Sequence, residues 1–409
     1  MIIDIISIVF IISGCILLLL GTINLRKNHN YPQHKKSGKN FAILIPARYE
    51  SKVIEGLLQS IKNQTYPISM GDVYVIIESM EDETVEICKA YHTQIVLRKH
   101  LELQRKGYAL DEAIKEILPK KKYDAYFIFD ADNVLDKDYL KEMVKTYEQG
   151  YDIGVGYRNC KNGNDSVIAA CSSLTFSMVN TLGNGTKAKH SANIVISGTG
   201  FYIRGYLIDK WQGYPFHSLT EDYELSLYAT LYNLTTFYNE QAIFYDEQPT
   251  VYNQTVKQRI RWIKGYFTSR KEYIPQIKQQ LNIQNKNYGS QYSACLGVRP
   301  YIYIVIGIIL YLLKNLFFLV ITIFNHDLPF NLLIILFFTV VLVVYFILMI
   351  ITVIMLKKDK LNLNQKMKWK AIFYNPIYLA TYVPCALKAV FTKNVVWSRI
   401  EHKVNIHEK

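Results

Sequence analysis

The sequence predicts an α/β domain built on a parallel sheet, with transmembrane helices at both ends of the chain. Two observations predict this architecture. Short apolar strand patterns alternate with helical patterns over residues 41–129, which is typical of parallel strands joined by crossover helices. Apolar runs about as long as a membrane is thick occupy residues 5–23, 301–324 and 332–356.

The net charge of +13 is arranged as membrane topology requires rather than as a nucleic-acid surface. Lysine-rich stretches flank the apolar runs, and the positive-inside rule assigns such stretches to the cytoplasm. We therefore expect an integral membrane protein of a bacterial plasma membrane with its α/β domain in the cytoplasm and no nucleic-acid partner. The six cysteines are scattered and form no CxxC pair, so neither a disulfide framework nor a zinc site is expected.

The two ends of the chain differ in how they are expected to meet the membrane. Asp4 precedes the first apolar run and a basic segment follows it, which favours an uncleaved anchor over a signal peptide. The last apolar stretch, 371–391, contains two prolines and a lysine. A full span there would place the basic tail outside, so we predict an interfacial or re-entrant segment.

Lys314 lies in the middle of the second apolar run. A charge at mid-membrane costs at least about 2.5–3.5 kcal/mol and usually faces a polar interior. Snorkelling is the alternative, but the nearer interface is about ten residues away, roughly 15 Å along a helix. We therefore hypothesise that Lys314 lines a polar path through the membrane, with Asn315 on an adjacent face.

Polar residues at strand ends are the candidates for ligand binding, because ligands bind beyond the carboxyl ends of parallel strands. The predicted strand 125–129 ends in Asp130-Ala-Asp132. Carboxylates one residue apart in a turn are hard ligands suited to Mg²⁺ or Mn²⁺, which would bridge them to a diphosphate. A solvated turn is the structural alternative.

Five motifs in one order resemble the inverting family 2 glycosyltransferases of GT-A fold, in particular the membrane-embedded synthases of β-linked polysaccharides such as cellulose, hyaluronan and poly-N-acetylglucosamine. The motifs are PARYE (46–50), RKGYAL (105–110), DADN (130–133), TED (220–222) and QRIRW (258–262). The resemblance covers about residues 40–270 by motif and the rest by membrane layout. It implies an anchor (1–25), a nucleotide-sugar-binding half (40–150), an acceptor-binding and catalytic half (151–270), interfacial helices (271–298), and a membrane region with a basic tail (299–409).

The resemblance also assigns binding roles. The nucleotide-sugar ligands it implies are Pro46, Ala47, Glu50, Glu78, Lys106 and Asp130. The metal ligands are Asp130 and Asp132, and the acceptor-binding residues are Gly198, Thr199, Gly200, Gln258 and Trp262. Glu78 stands where the family carries an aspartate that contacts the uridine, so the fit to the base would differ.

The catalytic residues implied by the resemblance are Asp222, Glu221 and Arg261. Asp222 would take the proton of the acceptor hydroxyl, although the TED segment could instead be a helix N-cap. The arginines of QRIRW would face the departing diphosphate, and Trp262 would lie under the terminal sugar of the acceptor. An amphipathic surface helix is the alternative for this segment.

The implied function is transfer of a hexosyl or N-acetylhexosaminyl unit from a UDP-sugar to a growing β-linked polysaccharide at the inner face of the membrane. The second hypothesis is transfer of one sugar to a lipid, because ceramide glucosyltransferases carry a similar signature with few spans. A non-catalytic scaffold is the third, and the intact Asp130, Asp132, Asp222 and Arg261 argue against it. Expected partners are the donor, a glycan or lipid acceptor, membrane lipid and accessory membrane subunits.

Overall fold

A computed structural model describes residues 2–32, 40–325 and 330–392. The basic tail, and most of the turn predicted to be external, lie outside these residues. An eight-stranded mixed sheet forms the centre of the α/β domain, in the order β3-β2-β1-β4-β7-β6-β8-β5. The strands are β1 (Phe41–Pro46), β2 (Val73–Ile77), β3 (Gln94–Leu97), β4 (Ala125–Ile128), β5 (Val134–Leu135), β6 (Ile153–Cys160), β7 (Phe201–Arg204) and β8 (Thr236–Asp246).

The half of the sheet predicted from alternating patterns is confirmed. Strands β3, β2, β1 and β4 are mutually parallel, with Ile43 opposite Val73 on one side and Phe127 on the other. The strand β1 is buried on both faces, which explains its uninterrupted apolar run. In the second half β7 runs antiparallel to both β4 and β6, so the complete sheet is mixed.

Helices cover both faces of the sheet and continue into the membrane region. Their first group is α1 (Ile2–Leu25), α2 (Ile54–Lys62), α3 (Thr84–Ala90), α4 (Lys106–Ile117), α5 (Tyr139–Glu148), α6 (Val167–Met178), α7 (Gly185–Ala188) and α8 (Gly205–Trp211), with a π-helical turn at Val179–Asn184. Their second group is α9 (Glu221–Leu231), α10 (Tyr252–Gln279), α11 (Tyr288–Leu296), α12 (Arg299–Asn325), α13 (Phe330–Lys358), α14 (Gln365–Ala380) and α15 (Tyr382–Phe391).

Three segments of the described chain are long and apolar enough to cross a membrane. They are Ile2–Leu25, Tyr288–Phe318 and Phe337–Lys358. They correspond to the three apolar runs expected from the sequence. The second begins earlier than predicted, because the short helix α11 leads into α12.

The pair formed by α1 and α12 gives Lys314 a partner inside the protein. The two helices approach closely, since a Cβ added at Gly14 would lie 2.6 Å from Ile304 Cγ1. The Lys314 ammonium is ion-paired with the Asp4 carboxylate of α1. This ion pair accounts for the charge of Lys314 by a contact between two helices, and the path hypothesised along Lys314 stays a prediction.

The segment predicted to be interfacial or re-entrant folds as α14 and α15, which meet at Thr381. Neither helix is among the candidate spans found in the described residues. Trp369, Phe373 and Ile377 of α14 are each at least 50 % exposed and recur every four residues. An exposed apolar stripe of this spacing suits a helix lying in a membrane interface.

Candidate active site

The Lys-Gly motif and the DxD motif meet at the carboxyl edge of the sheet. Asp130 follows β4, and Lys106 opens α4. The Lys106 ammonium is ion-paired with Asp130 and donates to the Gly198 carbonyl at 2.7 Å. Gly107 is required because a Cβ there would collide with the Phe216 carbonyl. Lys106 and Asp130, both predicted nucleotide-sugar ligands, are thus adjacent.

The turn Gly198–Gly200 holds the backbone of the DxD motif in place. The Asp130 N–H donates to Thr199 Oγ1 at 2.8 Å, and Thr199 is fully buried. A Cβ at Gly200 would collide with the Phe244 ring. Thr199 and Gly200 thus pack into the core, and their assignment to acceptor binding stays a prediction. Gly198 remains at the site through its carbonyl.

The first nucleotide-binding turn is built around two acidic residues. Asp82 is buried and accepts hydrogen bonds from the N–H groups of Tyr49, at 2.7 Å, and Thr84, at 2.9 Å. Glu78 is ion-paired with Arg48 at 2.7 Å and Arg98 at 3.2 Å. Much of the hydrogen-bonding capacity of Glu78 is thus committed to protein side chains.

The other predicted residues of that turn lie at the same edge. Pro46 ends β1 opposite Ile76, and the Ala47 N–H donates to the Ile76 carbonyl at 2.8 Å. The Glu50 N–H donates to Thr84 Oγ1 at 3.1 Å. The sheet therefore brings the PARYE segment beside the end of β2, as the strand order requires.

Asp132 lies deeper than Asp130 and beside an ion pair that the motifs did not reveal. Its Oδ2 accepts the Glu247 N–H at 2.9 Å. The Arg158 guanidinium donates to Asp246 Oδ2 at 2.7 Å. Burial raises the pKa of Asp246, and Arg158 counters this effect. The signal in the sequence that could have found Asp246 is its position, since it ends β8 directly after a run of apolar residues.

Asp130 and Asp132 form a donor set that suits a divalent cation shared with a ligand. Mg²⁺ commonly takes one or two carboxylates and completes its shell with water and phosphate oxygens. Asp246 Oδ1 is buried without a hydrogen-bond partner and contributes negative charge nearby. Within the described residues, no three His, Cys, Asp or Glu side chains form a metal-holding group by themselves. The residues fit a cation held jointly with phosphates.

The TED segment supplies two buried carboxylates at the start of α9. Thr220 is the N-cap residue of α9, as the N-cap alternative for this segment expects, although its side chain makes no capping hydrogen bond. Asp222 Oδ1 accepts the Tyr223 N–H at 2.8 Å. Burial raises the pKa of Asp222, which the Tyr223 N–H and the charges of Arg261 and Lys106 partly offset.

The neighbouring Glu221 is also buried, and its carboxyl pKa is raised by burial and then by the charge of Asp222. A Cβ at Gly198 would lie 3.4 Å from Asp222 Oδ2. Because Gly198 also binds Lys106, this contact connects the carboxylate pair to the DxD side of the site. The candidate base thus lies close to the residues that could neutralise the charge of a leaving group.

The side chains of the two arginines of QRIRW contact different parts of the protein. Arg261 Nη1 donates to the Leu219 carbonyl at 2.9 Å, and its charge acts on both Glu221 and Asp222. Arg259 is instead fully buried against α14 and α15. The expectation that both arginines face the diphosphate is wrong for Arg259, because two residues along a helix, about 200° of rotation, turn the two side chains to opposite faces of α10.

The flanking residues of the motif lie on the same helix. Trp262 packs edge-on against Phe176 of α6, with ring centroids 5.7 Å apart. Gln258, one turn earlier, is half-buried. Trp262 is therefore positioned by α6 and remains half-buried as a candidate acceptor surface.

Comparison with known proteins agrees with this arrangement. Residues 127–357 match the family model described as "Glycosyl transferase family group 2", and residues 42–210 match "Glycosyl transferase family 2". The "Probable glycosyltransferase YdaM" of Bacillus subtilis is 24% identical over 245 residues, which are 58% of this chain and 58% of the relative. A "Beta-monoglucosyldiacylglycerol synthase" of Trichormus variabilis is 23% identical over 62% of this chain and 54% of the relative.

These matches thus span little more than half of each curated relative. Among solved structures, a mannosyltransferase from Pyrobaculum calidifontis in complex with GDP-Man and Mn²⁺ has a TM-score of 0.57 at 13% identity, covering 96% of this chain and 100% of its own. That likeness shows the GT-A fold. Because one family model matches more than half of the sequence, the chain belongs to glycosyltransferase family 2.

Proposed function

We propose that this protein transfers a hexosyl or N-acetylhexosaminyl unit from a UDP-sugar, with inversion, to an acceptor hydroxyl at the inner face of the membrane. One observation carries the proposal. The Lys106–Asp130 ion pair, the Asp222 carboxylate and the Arg261 charge lie around a single turn at Gly198. A base and a set of cations close together are what an inverting transfer requires.

Asp222 acts as the general base. Its carboxylate takes the proton of the acceptor hydroxyl as that oxygen bonds to the anomeric carbon, and the bond from this carbon to the diphosphate oxygen breaks. The electron pair of that bond leaves with the diphosphate. A pKa raised by burial makes Asp222 a stronger base than an exposed aspartate.

Lys106 and Arg261 stabilise the negative charge that develops on the departing diphosphate. Fixed cations in a partly buried site need little reorganisation when that charge appears. Asp130 and Asp132 would hold Mg²⁺ or Mn²⁺, and such a cation would supply further charge neutralisation. The Arg261 guanidinium is already oriented by the Leu219 carbonyl.

A membrane lipid is the first candidate for the acceptor. Lys314, hypothesised to line a polar path, is paired with Asp4 between two packed helices. A relative that matches this chain is named as a glycolipid synthase. A growing β-linked polysaccharide is the second candidate, supported by the five motifs and their order.

A donor and product panel tests the proposal. Membranes containing the protein would be incubated with radiolabelled UDP-glucose, UDP-N-acetylglucosamine and GDP-mannose, and products separated into lipid extract and insoluble residue. Label in a glycolipid supports the lipid acceptor, and label in insoluble polymer supports the second candidate. Absence of both transfer and donor hydrolysis with every donor would contradict the proposed activity.

Removing the cation is expected to abolish transfer, and Asp132→Ala is expected to weaken both Mn²⁺ and UDP binding by at least about tenfold, or 1.4 kcal/mol. The carboxylate that would share the cation with the diphosphate is then missing. Calorimetric titration with UDP, with and without Mn²⁺, measures both effects. Asp138→Ala, on the surface before α5, is the control, and full activity in excess EDTA would remove the cation from the mechanism.

A further inference from the structure

A cavity of ≈ 320 Å³ lies between the catalytic domain and the candidate membrane spans. Leu18 and Thr22 of α1, Leu296 before α12 and Tyr301 within it form the membrane side of its wall. Helices α9 and α10 form the opposite side. The cavity is therefore placed where a lipid headgroup would reach from the bilayer, and its volume lies near the lower end of small-molecule sites, roughly 300–1,000 Å³.

The charged side chains in the cavity wall are all positive. Lys187 and Arg270 line it, and none of the described residues that line it is acidic. Arg270 is already engaged by the carbonyls of Ala294 and Cys295. Lys187 forms no ion pair or side-chain hydrogen bond with any part of the chain that the structure describes. Lys187 is thus a half-buried cation without a counter-ion among the described residues.

The environment of Lys187 disfavours its charged form. Burial lowers the pKa of its ammonium to about 8, and no nearby carboxylate opposes this effect. Desolvated lysines usually pair with an anion, because an unpaired buried charge is costly. The residue lies just after the π-helical turn Val179–Asn184, a local conformation that is frequent at functional sites.

The mouth of the cavity is apolar. Leu182 is 53% exposed, and Tyr301 is 59% exposed. A cationic interior behind an apolar mouth suits an amphiphile with a negative headgroup and acyl chains. A free anion would gain nothing from the apolar rim, so the rim distinguishes a lipid from soluble phosphate.

We propose that this cavity binds an anionic phospholipid of the adjoining leaflet, with its phosphate at Lys187 and its acyl chains along α1 and α12. This lipid is not the acceptor, because Tyr223 and Ser226 of α9 line the cavity while Asp222 Oδ2 faces Gly198. Ser226 Oγ donates to the Asp222 carbonyl at 2.9 Å, one turn along the same helix. The lipid thus positions the helix that carries the catalytic base.

Lipid retention by the purified full-length protein tests this site independently of its transfer activity. The protein in detergent would be incubated with phosphatidylglycerol or phosphatidylcholine, and bound lipid counted by native mass spectrometry. We expect wild type to retain phosphatidylglycerol at least about fivefold better than phosphatidylcholine, since one lysine near anionic lipid is worth about 1 kcal/mol. Lys187→Met should remove this preference.

Two variants separate the site from a folding defect. Lys187→Arg keeps the charge and should keep the preference, and Lys189→Met removes an exposed lysine nearby and should match wild type. Equal retention of the two lipids by wild type, or an unchanged preference in Lys187→Met, would overturn the proposal. Displacement of phosphatidylglycerol by millimolar inorganic phosphate would overturn the assignment to a lipid.

Discussion

Replacing Asp222 with asparagine is expected to reduce sugar transfer by about 10²–10⁴-fold, the usual contribution of a general base. The amide preserves the shape of the side chain and can still accept the Tyr223 N–H bond, but it cannot take up the acceptor proton. UDP affinity should remain within about threefold, because the nucleotide is bound by other residues. Transfer rate and UDP titration, measured on the same preparation, separate the two effects.

The pH profile gives a second readout of the same base. Asp222 must be ionised to act, and burial raises its pKa. The rate should therefore fall as the pH decreases through that raised pKa and level off above it. Near-normal turnover by Asp222→Asn would show that Asp222 is not the base.

The neighbouring residue supplies the matched control. Glu221→Gln removes a second buried carboxylate from the same helical turn while leaving Asp222 in place. We expect the acidic limb of the profile to stay in place, because burial and the charge of Asp222 raise the Glu221 pKa to about 7 and Glu221 is therefore still protonated as Asp222 ionises. A complete loss of transfer in Glu221→Gln with an active Asp222→Asn would reverse the assignment.

The part of the fold that local pattern could reveal was predicted correctly. The strand β1 is a short apolar run bounded by polar segments, and burial of both its faces produces that pattern. The candidate membrane spans are equally easy to recognise in the sequence, since the thickness of the bilayer fixes the length of their apolar runs. The second half of the sheet was not predicted, because β7 pairs between strands that are distant in sequence.

Site residues could be predicted from the sequence where the reaction needs a particular residue type. They could not be predicted where packing against neighbouring residues decides which way a side chain points. Lys106 and Asp130 lie together as the motifs imply. Thr199 looks like a ligand-facing residue in a flexible turn, yet it supports the Asp130 backbone. Arg158 belongs to no motif, and its place beside Asp246 follows from the pairing of β6 with β8.

Arg259 shows most directly what a motif leaves out. It is fully buried, and its guanidinium lies 4.5 Å from the ring centroid of Tyr378 and 4.7 Å from that of Tyr382. It also donates to Thr381 Oγ1 at 2.8 Å, where α14 meets α15. The first arginine of QRIRW therefore joins the catalytic helix to the C-terminal helix pair, while Arg261 serves the site.

Arg259→Met is accordingly expected to destabilise the protein by roughly 1.5–3 kcal/mol, the contribution of a hydrogen bond that involves a charged group. The hydrogen bond to Thr381 and the contacts with both tyrosine rings are lost together. The segment from α14 to α15 should then detach from α10 more readily and be cleaved faster by protease. Thermal unfolding and limited proteolysis measure these effects in detergent.

The same helix provides the comparison that makes this result specific. Lys257→Met removes an exposed positive charge two residues earlier and should leave both stability and cleavage unchanged. Arg259→Lys keeps the charge but lacks the planar guanidinium that stacks on aromatic rings and donates in several directions, so it should restore only part of the stability. If Arg259→Met unfolds at the wild-type temperature and its helix pair is cleaved no faster, Arg259 does not join α10 to the membrane-proximal helices.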